Sequence, residues 1–159
     1  MADMLVRLYA IPGPHAAVAR LRGFATIRRP RPSERNAVVG WVRSTFTAGW
    51  AAECETAFAT RPARCFVARA AGRIAGFVCH DCTRLNFFGP LGVDEAWQGR
   101  GLGAALTLVT LAAMRDAGYA YAIIGGVGPA AFYERVCGAV PIEGSTPGIY
   151  GRWEMGDRS

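Results

Sequence analysis

The sequence contains no lysine, and all eighteen of its basic residues are arginines. A phosphate-binding loop of the Walker type needs a lysine beside the terminal phosphates of a nucleotide. Schiff-base catalysis needs a lysine amine that condenses with a carbonyl group. The absence of lysine therefore excludes both kinds of chemistry for these 159 residues.

Long hydrophobic runs are also missing, although 52% of the residues are hydrophobic. The longest apolar run, residues 101–114, is interrupted by threonines and is shorter than the roughly 18 residues of a membrane span. The first residues show no basic segment followed by an apolar block and a cleavage site, so no secretory signal is expected. Five cysteines, an odd number, fit reduced thiols better than a disulfide framework. We therefore expect a cytoplasmic protein with no membrane partner.

The arginines give the chain a formal net charge of +6. The densest group lies between residues 20 and 35 and comprises Arg20, Arg22, Arg28, Arg29, Arg31 and Arg35. This segment resembles no nucleic-acid-binding module, so a solvated basic face is favoured and no nucleic-acid partner is expected. Electrostatic association of the segment with RNA stays an open alternative.

The hydrophobic pattern predicts a single domain, residues 1–159, that mixes strands and helices. Strands are predicted at residues 4–10, 24–29, 65–70, 74–83, 87–93, 119–124, 140–143 and 149–153. Helices are predicted at residues 14–21, 33–46, 49–60, 102–117 and 129–136. The strand 87–93 should bend at Gly89 and Pro90, because proline cannot donate to a strand ladder and glycine often marks a bulge.

Three glycines at alternate positions, Gly99, Gly101 and Gly103, lie where the helix 102–117 begins. Unpaired N–H groups and a partial positive charge mark the N-terminus of a helix, and glycine lets an anion approach them closely. Residues 98–104 are therefore predicted to form a phosphate cradle. A tight strand-to-helix turn without a ligand is the alternative interpretation.

The same glycines also satisfy the G-x-G-x-x-G/A pattern of dinucleotide-binding folds. In those folds the first glycine ends a strand, and an acidic residue follows about 20 positions later to bind the ribose. Here residues 94–98 separate the strand from Gly99, and the strand 119–124 contains no acid. This context excludes a dinucleotide site.

The run Leu91-Gly92-Val93, followed by Gln98-Gly99-Arg100-Gly101-Leu102-Gly103 and a long helix, resembles motif A of the GNAT superfamily, acyl-coenzyme A dependent N-acyltransferases. Downstream, Phe132-Tyr133 on a short helix and Gly138-Ala139 are similar to the second coenzyme-contacting segment of that superfamily. The resemblance covers residues 24–153 and implies an α/β (α+β) fold with a mixed, mostly antiparallel sheet flanked by helices. Residues 1–23 are expected to add a strand and a helix at the N-terminus.

The resemblance implies acetyl-coenzyme A as co-substrate. The backbone of Leu91, Gly92 and Val93 would pair with the pantetheine arm, and the bend at residues 89–90 would make room for it. Phe132 would also contact the coenzyme. The pyrophosphate would be held by N–H groups of the cradle, whose members are Gln98, Gly99, Arg100, Gly101, Leu102, Gly103 and Ala104, with Arg100 also neutralising phosphate charge.

The resemblance also implies that Tyr133 donates a proton to the departing thiolate. A phenol with an ordinary pKa of about 10 is protonated at neutral pH and can hydrogen-bond the sulfur. A tyrosine at the edge of the core is the alternative for Tyr133. Glu53 is the candidate general base or amine anchor, with a solvated helix glutamate as the alternative. Tyr150 is a candidate substrate contact.

We expect N-acetylation of a primary amine, on a small molecule or a peptide, by direct attack in a ternary complex. The alternative is a non-catalytic acyl-coenzyme A-binding regulatory domain, because no general base is obvious. The loop 125–128 also lacks the asparagine that many family members carry there. The sequence leaves a homodimer open.

Cys79 and Cys82 form a C-x-x-C pair that could begin a zinc site. Side chains along a strand alternate between its two faces, and the sequence offers no second pair, so no metal is expected. Cys137, close after Tyr133, is interpreted as a small buried residue rather than an acyl-accepting thiol.

Overall fold

The computed structural model describes residues 1–151 and contains one seven-stranded sheet. Its strands are β1 (Met4–Arg7), β2 (Ala25–Arg28), β3 (Cys65–Ala70), β4 (Arg73–His80), β5 (Phe87–Val93), β6 (Tyr121–Ile124) and β7 (Val140–Pro141). Their order across the sheet is β2-β3-β4-β5-β6-β1-β7. All neighbours are antiparallel except β5 and β6, which are parallel. The expected mixed, mostly antiparallel sheet is confirmed.

Helices cover both faces of the sheet, and they are α1 (His15–Ala19), α2 (Arg35–Thr45), α3 (Ala48–Ala57), α4 (Leu102–Asp116) and α5 (Ala130–Cys137). One face packs against α1, α4 and α5, and the other against α2 and α3. β3 and β4 are mostly apolar because both of their faces are buried over most of their length. Phe66 and Val78 face the α4 side, whereas Val67 and Phe77 face α2 and α3.

The N-terminal strand belongs to the interior of the sheet. β1 lies between β6 and β7 and pairs antiparallel with both of them. Met4, Val6 and Leu8 are almost completely buried, so this strand contributes to the main core. The strand is shorter than the predicted 4–10, because residues 8–10 form a 3-10 helix.

The predicted final pair of strands, residues 140–143 and 149–153, is wrong. β7 covers only two residues, and residues 148–151 are helical. β1 occupies the position beside β6, so β7 pairs with β1 at the edge of the sheet. The remainder of the second predicted strand, including Trp153, lies outside the described residues.

β5 changes partners at its bend, as the sequence predicts. Its pairing with β6 ends at Phe88, opposite Ile124, whereas its pairing with β4 continues to Val93. Gly89 has φ of 116°, in the region that favours glycine, and Pro90 has no N–H to donate. Residues 89–93 therefore have an unpaired edge on the side of β6, and the sheet opens there.

Candidate active site

A cavity of about 1450 Å³ lies where β5 and β6 separate. Its walls come from β5, the N-terminus of α4, α5, the loop 125–128 and α3. Most of the predicted coenzyme contacts line it, namely Leu91, Val93, Gln98, Gly99, Gly101, Leu102, Gly103, Ala104 and Phe132. Gly92 and Arg100 do not. The structure therefore brings nine of the eleven predicted residues to one continuous surface.

The phosphate cradle, residues 98–104, presents free backbone donors to this cavity. No side chain caps the N-terminus of α4, and within residues 1–151 the amides of residues 99–104 have no hydrogen-bond acceptor. Gly99 and Gly101 have φ of 76° and 89°, which glycine adopts without strain. The amide of Gln98 donates to the Glu95 carbonyl at 3.4 Å, so the free donors begin at Gly99. The geometry is that of an anion site at a helix N-terminus.

Gly92 is required for packing on the face opposite the cavity. A Cβ built on Gly92 would lie 2.5 Å from Cζ of Phe46. That ring is fixed in an aromatic cluster, with centroids 5.5 Å from Trp41 and 5.7 Å from Phe77. Phe46 is distant from Gly92 in the sequence, so the residues around Gly92 do not indicate this packing requirement.

Arg100 lies outside the cavity and packs on aromatic rings. Its guanidinium carbon is 5.2 Å from the Phe24 ring centroid and 5.3 Å from that of Trp97, which is cation–π geometry. Two arginines that the sequence analysis did not select, Arg20 and Arg135, line the cavity instead. In the sequence, Arg20 is one of several arginines in the basic segment 20–35. Its position at the cavity follows only from the packing of α1 against α4.

Tyr133 lies on α5 with its ring held between two others. It is 8% exposed, lines the cavity, and makes edge contacts with Phe88 and Phe132 at centroid distances of 6.0 and 5.0 Å. Burial, with a smaller contribution from Cys137, raises the pKa of Tyr133 to about 12. The phenol is therefore protonated throughout the neutral range and makes no hydrogen bond within residues 1–151. Cys137 itself is buried and donates its thiol to the Tyr133 carbonyl, as a small core residue.

Glu53 lies on α3, lines the cavity and is the last member of a hydrogen-bonded chain. The Thr83 hydroxyl donates to Oε1 of Glu53 at 2.7 Å, and the Tyr150 hydroxyl donates to Oγ1 of Thr83 at 3.4 Å. Glu53 and Tyr150 both line the cavity, as does Trp50. The two residues proposed from sequence for the substrate end are thus joined through Thr83, which the sequence analysis missed because it lies in an irregular loop.

The loop 125–128 is glycine-rich because Tyr150 packs directly on it. A Cβ on Gly125 would lie 2.8 Å from Cε2 of Tyr150 and 3.0 Å from Cε2 of Phe87. The Gly126 amide donates to the buried Asp3 carboxylate at 2.9 Å. An asparagine side chain at residue 125 would therefore displace these rings.

Metal ligands are not gathered in the cavity. Over residues 1–151, the side chains close enough together to hold a metal are Cys54, Cys65 and Cys79, and none of them lines the cavity.

In the same part of the chain, no helix has both the length and the apolar character needed to cross a membrane.

Comparison with known proteins agrees with this geometry. Residues 61–136 match a family model described as the acetyltransferase (GNAT) domain. No curated protein matches the sequence. A GNAT family acetyltransferase from Brucella melitensis, solved in complex with acetyl-CoA, is 25% identical over 70% of this chain and 80% of its own, with a TM-score of 0.52.

Two further solved structures share the fold. A GNAT family N-acetyltransferase from Escherichia coli, in complex with CoA, is 26% identical over 71% of this chain and 67% of its own, with a TM-score of 0.53. A GCN5-related glucosamine N-acetyltransferase region of a fungal multi-domain β-N-acetylglucosaminidase has a TM-score of 0.73 at 17% identity over 89% of this chain. This chain spans 19% of that fungal protein.

Proposed function

Because this chain carries a GNAT acetyltransferase domain, we propose that it transfers an acetyl group from acetyl-coenzyme A to a primary amine by direct attack in a ternary complex. The observation that carries the proposal is the uncapped N-terminus of α4, which opens into the cavity that also holds Tyr133 and Glu53. An anion site, a proton donor and a carboxylate thus share one surface. The acetyl group is supplied by the bound coenzyme.

The residues present fit the coenzyme. The free amides of residues 99–104 suit a pyrophosphate, and the empty space beside the Cα of Gly99 leaves them accessible. Arg20 and Arg135 add positive charge to the cavity. The unpaired edge of residues 89–93 offers backbone groups to an extended amide chain such as pantetheine.

Tyr133 donates a hydrogen bond to the sulfur of the leaving group. A thiol has an ordinary pKa of about 8.5, whereas the pKa of Tyr133 is about 12. The departing thiolate is therefore too weak a base to take the phenol proton, and the phenol stabilises it chiefly by hydrogen bonding. Phe88 and Phe132 hold the Tyr133 ring in place, so little conformational entropy is lost when the phenol is oriented toward the sulfur.

Glu53 acts at the acceptor end. The Thr83 hydroxyl donates to one oxygen of its carboxylate and so fixes the orientation of the group. The carboxylate attracts the ammonium form of the acceptor and takes a proton from it, directly or through water, which leaves the neutral amine needed for attack. Trp50 and Tyr150 line the same end and supply aromatic faces for the carbon skeleton of the acceptor.

Glucosamine is the first compound to test, because the fungal relative is described as a glucosamine N-acetyltransferase region. Peptide amines are the second class. The assay measures thiol released from acetyl-coenzyme A with a panel of both classes. Turnover with any of these amines supports the proposal, and it should be lost in Glu53→Gln and reduced in Tyr133→Phe.

A regulatory domain that binds the coenzyme without turnover is the competing function. In that case calorimetry would detect binding of acetyl-coenzyme A, while neither class of amine would release thiol. Coenzyme that failed to bind at all would remove both functions.

A further inference from the structure

Three of the five cysteines converge beneath α3, on the face of the sheet opposite α4. Cys54 comes from α3, Cys65 from β3 and Cys79 from β4, and the two strand residues are direct cross-strand partners. Their three sulfur atoms all lie within 4.8 Å of one another. All three side chains are fully buried, in a pocket otherwise lined by apolar residues.

Cys82 completes this group, which we name the thiol cluster (Cys54, Cys65, Cys79 and Cys82). Alternation along a strand would place Cys79 and Cys82 on opposite faces. However, β4 ends at His80, and Asp81 has φ of 56°, so the chain turns between the two cysteines. The Cys82 thiol donates to the His80 carbonyl at 3.3 Å, and the side chain packs against the buried cluster that contains the other three cysteines.

We propose that the thiol cluster binds one thiophilic divalent metal ion of the zinc type, with Cys54, Cys65 and Cys79 as three ligands and Cys82 as the fourth. Zinc–sulfur bonds of about 2.3 Å in a tetrahedron place the sulfur atoms about 3.8 Å apart. The three buried sulfurs therefore need to approach by about 1 Å at most, which small side-chain rotations supply.

The binding step balances in protons and charge. One divalent ion displaces four thiol protons to water and forms four metal–sulfur bonds, with no oxidation or reduction. The resulting site carries a net charge of −2.

Such a site would join α3 to the two central strands. Cys54 is next to Glu53 on α3, and Trp50 lies one turn before it. A metal bound at Cys54 would therefore fix the helix that carries the acceptor end of the cavity. Because the cluster is buried, we expect the ion to enter during folding, or through the half-buried Cys82 side.

The test uses the full chain, refolded with Zn²⁺, with Co²⁺ as a spectroscopic probe, or with a chelator. We expect one Zn²⁺ per chain after desalting and, with Co²⁺, the intense visible bands of tetrahedral thiolate coordination. Cys54→Ser and Cys65→Ser should lower Zn²⁺ affinity by roughly 100-fold or more, because even outer-shell partners are worth 10–100-fold. Cys137→Ser is the matched control, since this buried cysteine on α5 lies outside the cluster and its binding should match that of the parent chain.

Absence of bound Zn²⁺ and of Co²⁺–thiolate bands in the refolded parent chain would overturn the proposal. A disulfide within the cluster of the chain as purified without added reductant, found by mass spectrometry, would also overturn it. If Cys54→Ser fails to fold, Cys82→Ser provides the same comparison at a half-buried position. This substitution should shift the Co²⁺ spectrum. An unchanged spectrum would show that Cys82 is not the fourth ligand.

Discussion

Replacing Gly101 by alanine tests whether the cradle backbone requires a left-handed residue. Gly101 has φ of 89°, and an L-residue held in this region costs roughly 1–2 kcal/mol. Alanine also reduces the entropy of the unfolded chain, which stabilises the folded state by roughly 0.4–1 kcal/mol. The nearest atom to the new Cβ is Cδ2 of Leu21 at 4.0 Å, so no clash adds to the strain. We expect a net loss of about 1 kcal/mol.

Urea denaturation of the chain without ligand measures this loss, and the melting temperature should fall by about 2–4 °C. Gly103→Ala is the matched control, because Gly103 lies in the first turn of α4 and its Cβ would make an ordinary 3.5 Å contact with Phe132. That variant should keep its stability or gain up to about 1 kcal/mol. If Gly101→Ala were as stable as Gly103→Ala, the argument from backbone strain would be refuted.

Three further substitutions test separate parts of the account. Gly92→Ala would place a methyl group 2.5 Å from Cζ of Phe46, so chemical denaturation should show a loss of about 1–3 kcal/mol, and an unchanged stability would contradict the assigned packing. Tyr133→Phe should lower kcat by about 100-fold or more with the folded state intact. Because its pKa is about 12, Tyr133 loses its proton only near that pH. If kcat fell with a midpoint below pH 10, and Tyr133→Phe did not show this fall, the assignment of Tyr133 as a protonated phenol would be contradicted. Glu53→Gln should lower kcat/KM for the acceptor amine while leaving coenzyme affinity unchanged, and a parallel loss of coenzyme affinity in calorimetry would assign Glu53 a structural role instead.

The backbone conformation at the start of α4 was predictable because its signals are local. The glycines at positions 99 and 101 and the helix after them lie within a few residues of one another, and their conformations follow from residue type. The bend of β5 follows in the same way from Gly89 and Pro90. The fold prediction is confirmed, and residues 61–136 match a model of the family that these residues suggested. The individual roles of Tyr133 and Glu53 stay predictions.

The parts that were missed depend on contacts between distant segments. The final strands were predicted as a pair because nothing near residue 140 indicates that β1 takes the position beside β6. The need for glycine at position 92 comes from a ring 46 residues earlier in the sequence, and the hydrogen bond between Glu53 and Thr83 spans 30 residues. The convergence of Cys54 and Cys65 on Cys79 is of the same kind, since each comes from a different helix or strand.

The most direct test of the central claim is an amide-resolved NMR titration of the chain with coenzyme A. We predict that the largest shifts fall on the amides of residues 99–104, which have no acceptor in the described part of the chain, with smaller shifts along residues 91–93. The amides of Arg28, Arg29 and Arg31, which lie outside the cavity, should not respond. Saturating coenzyme that left the amides of residues 99–104 unshifted would contradict the claim that this helix N-terminus binds the pyrophosphate.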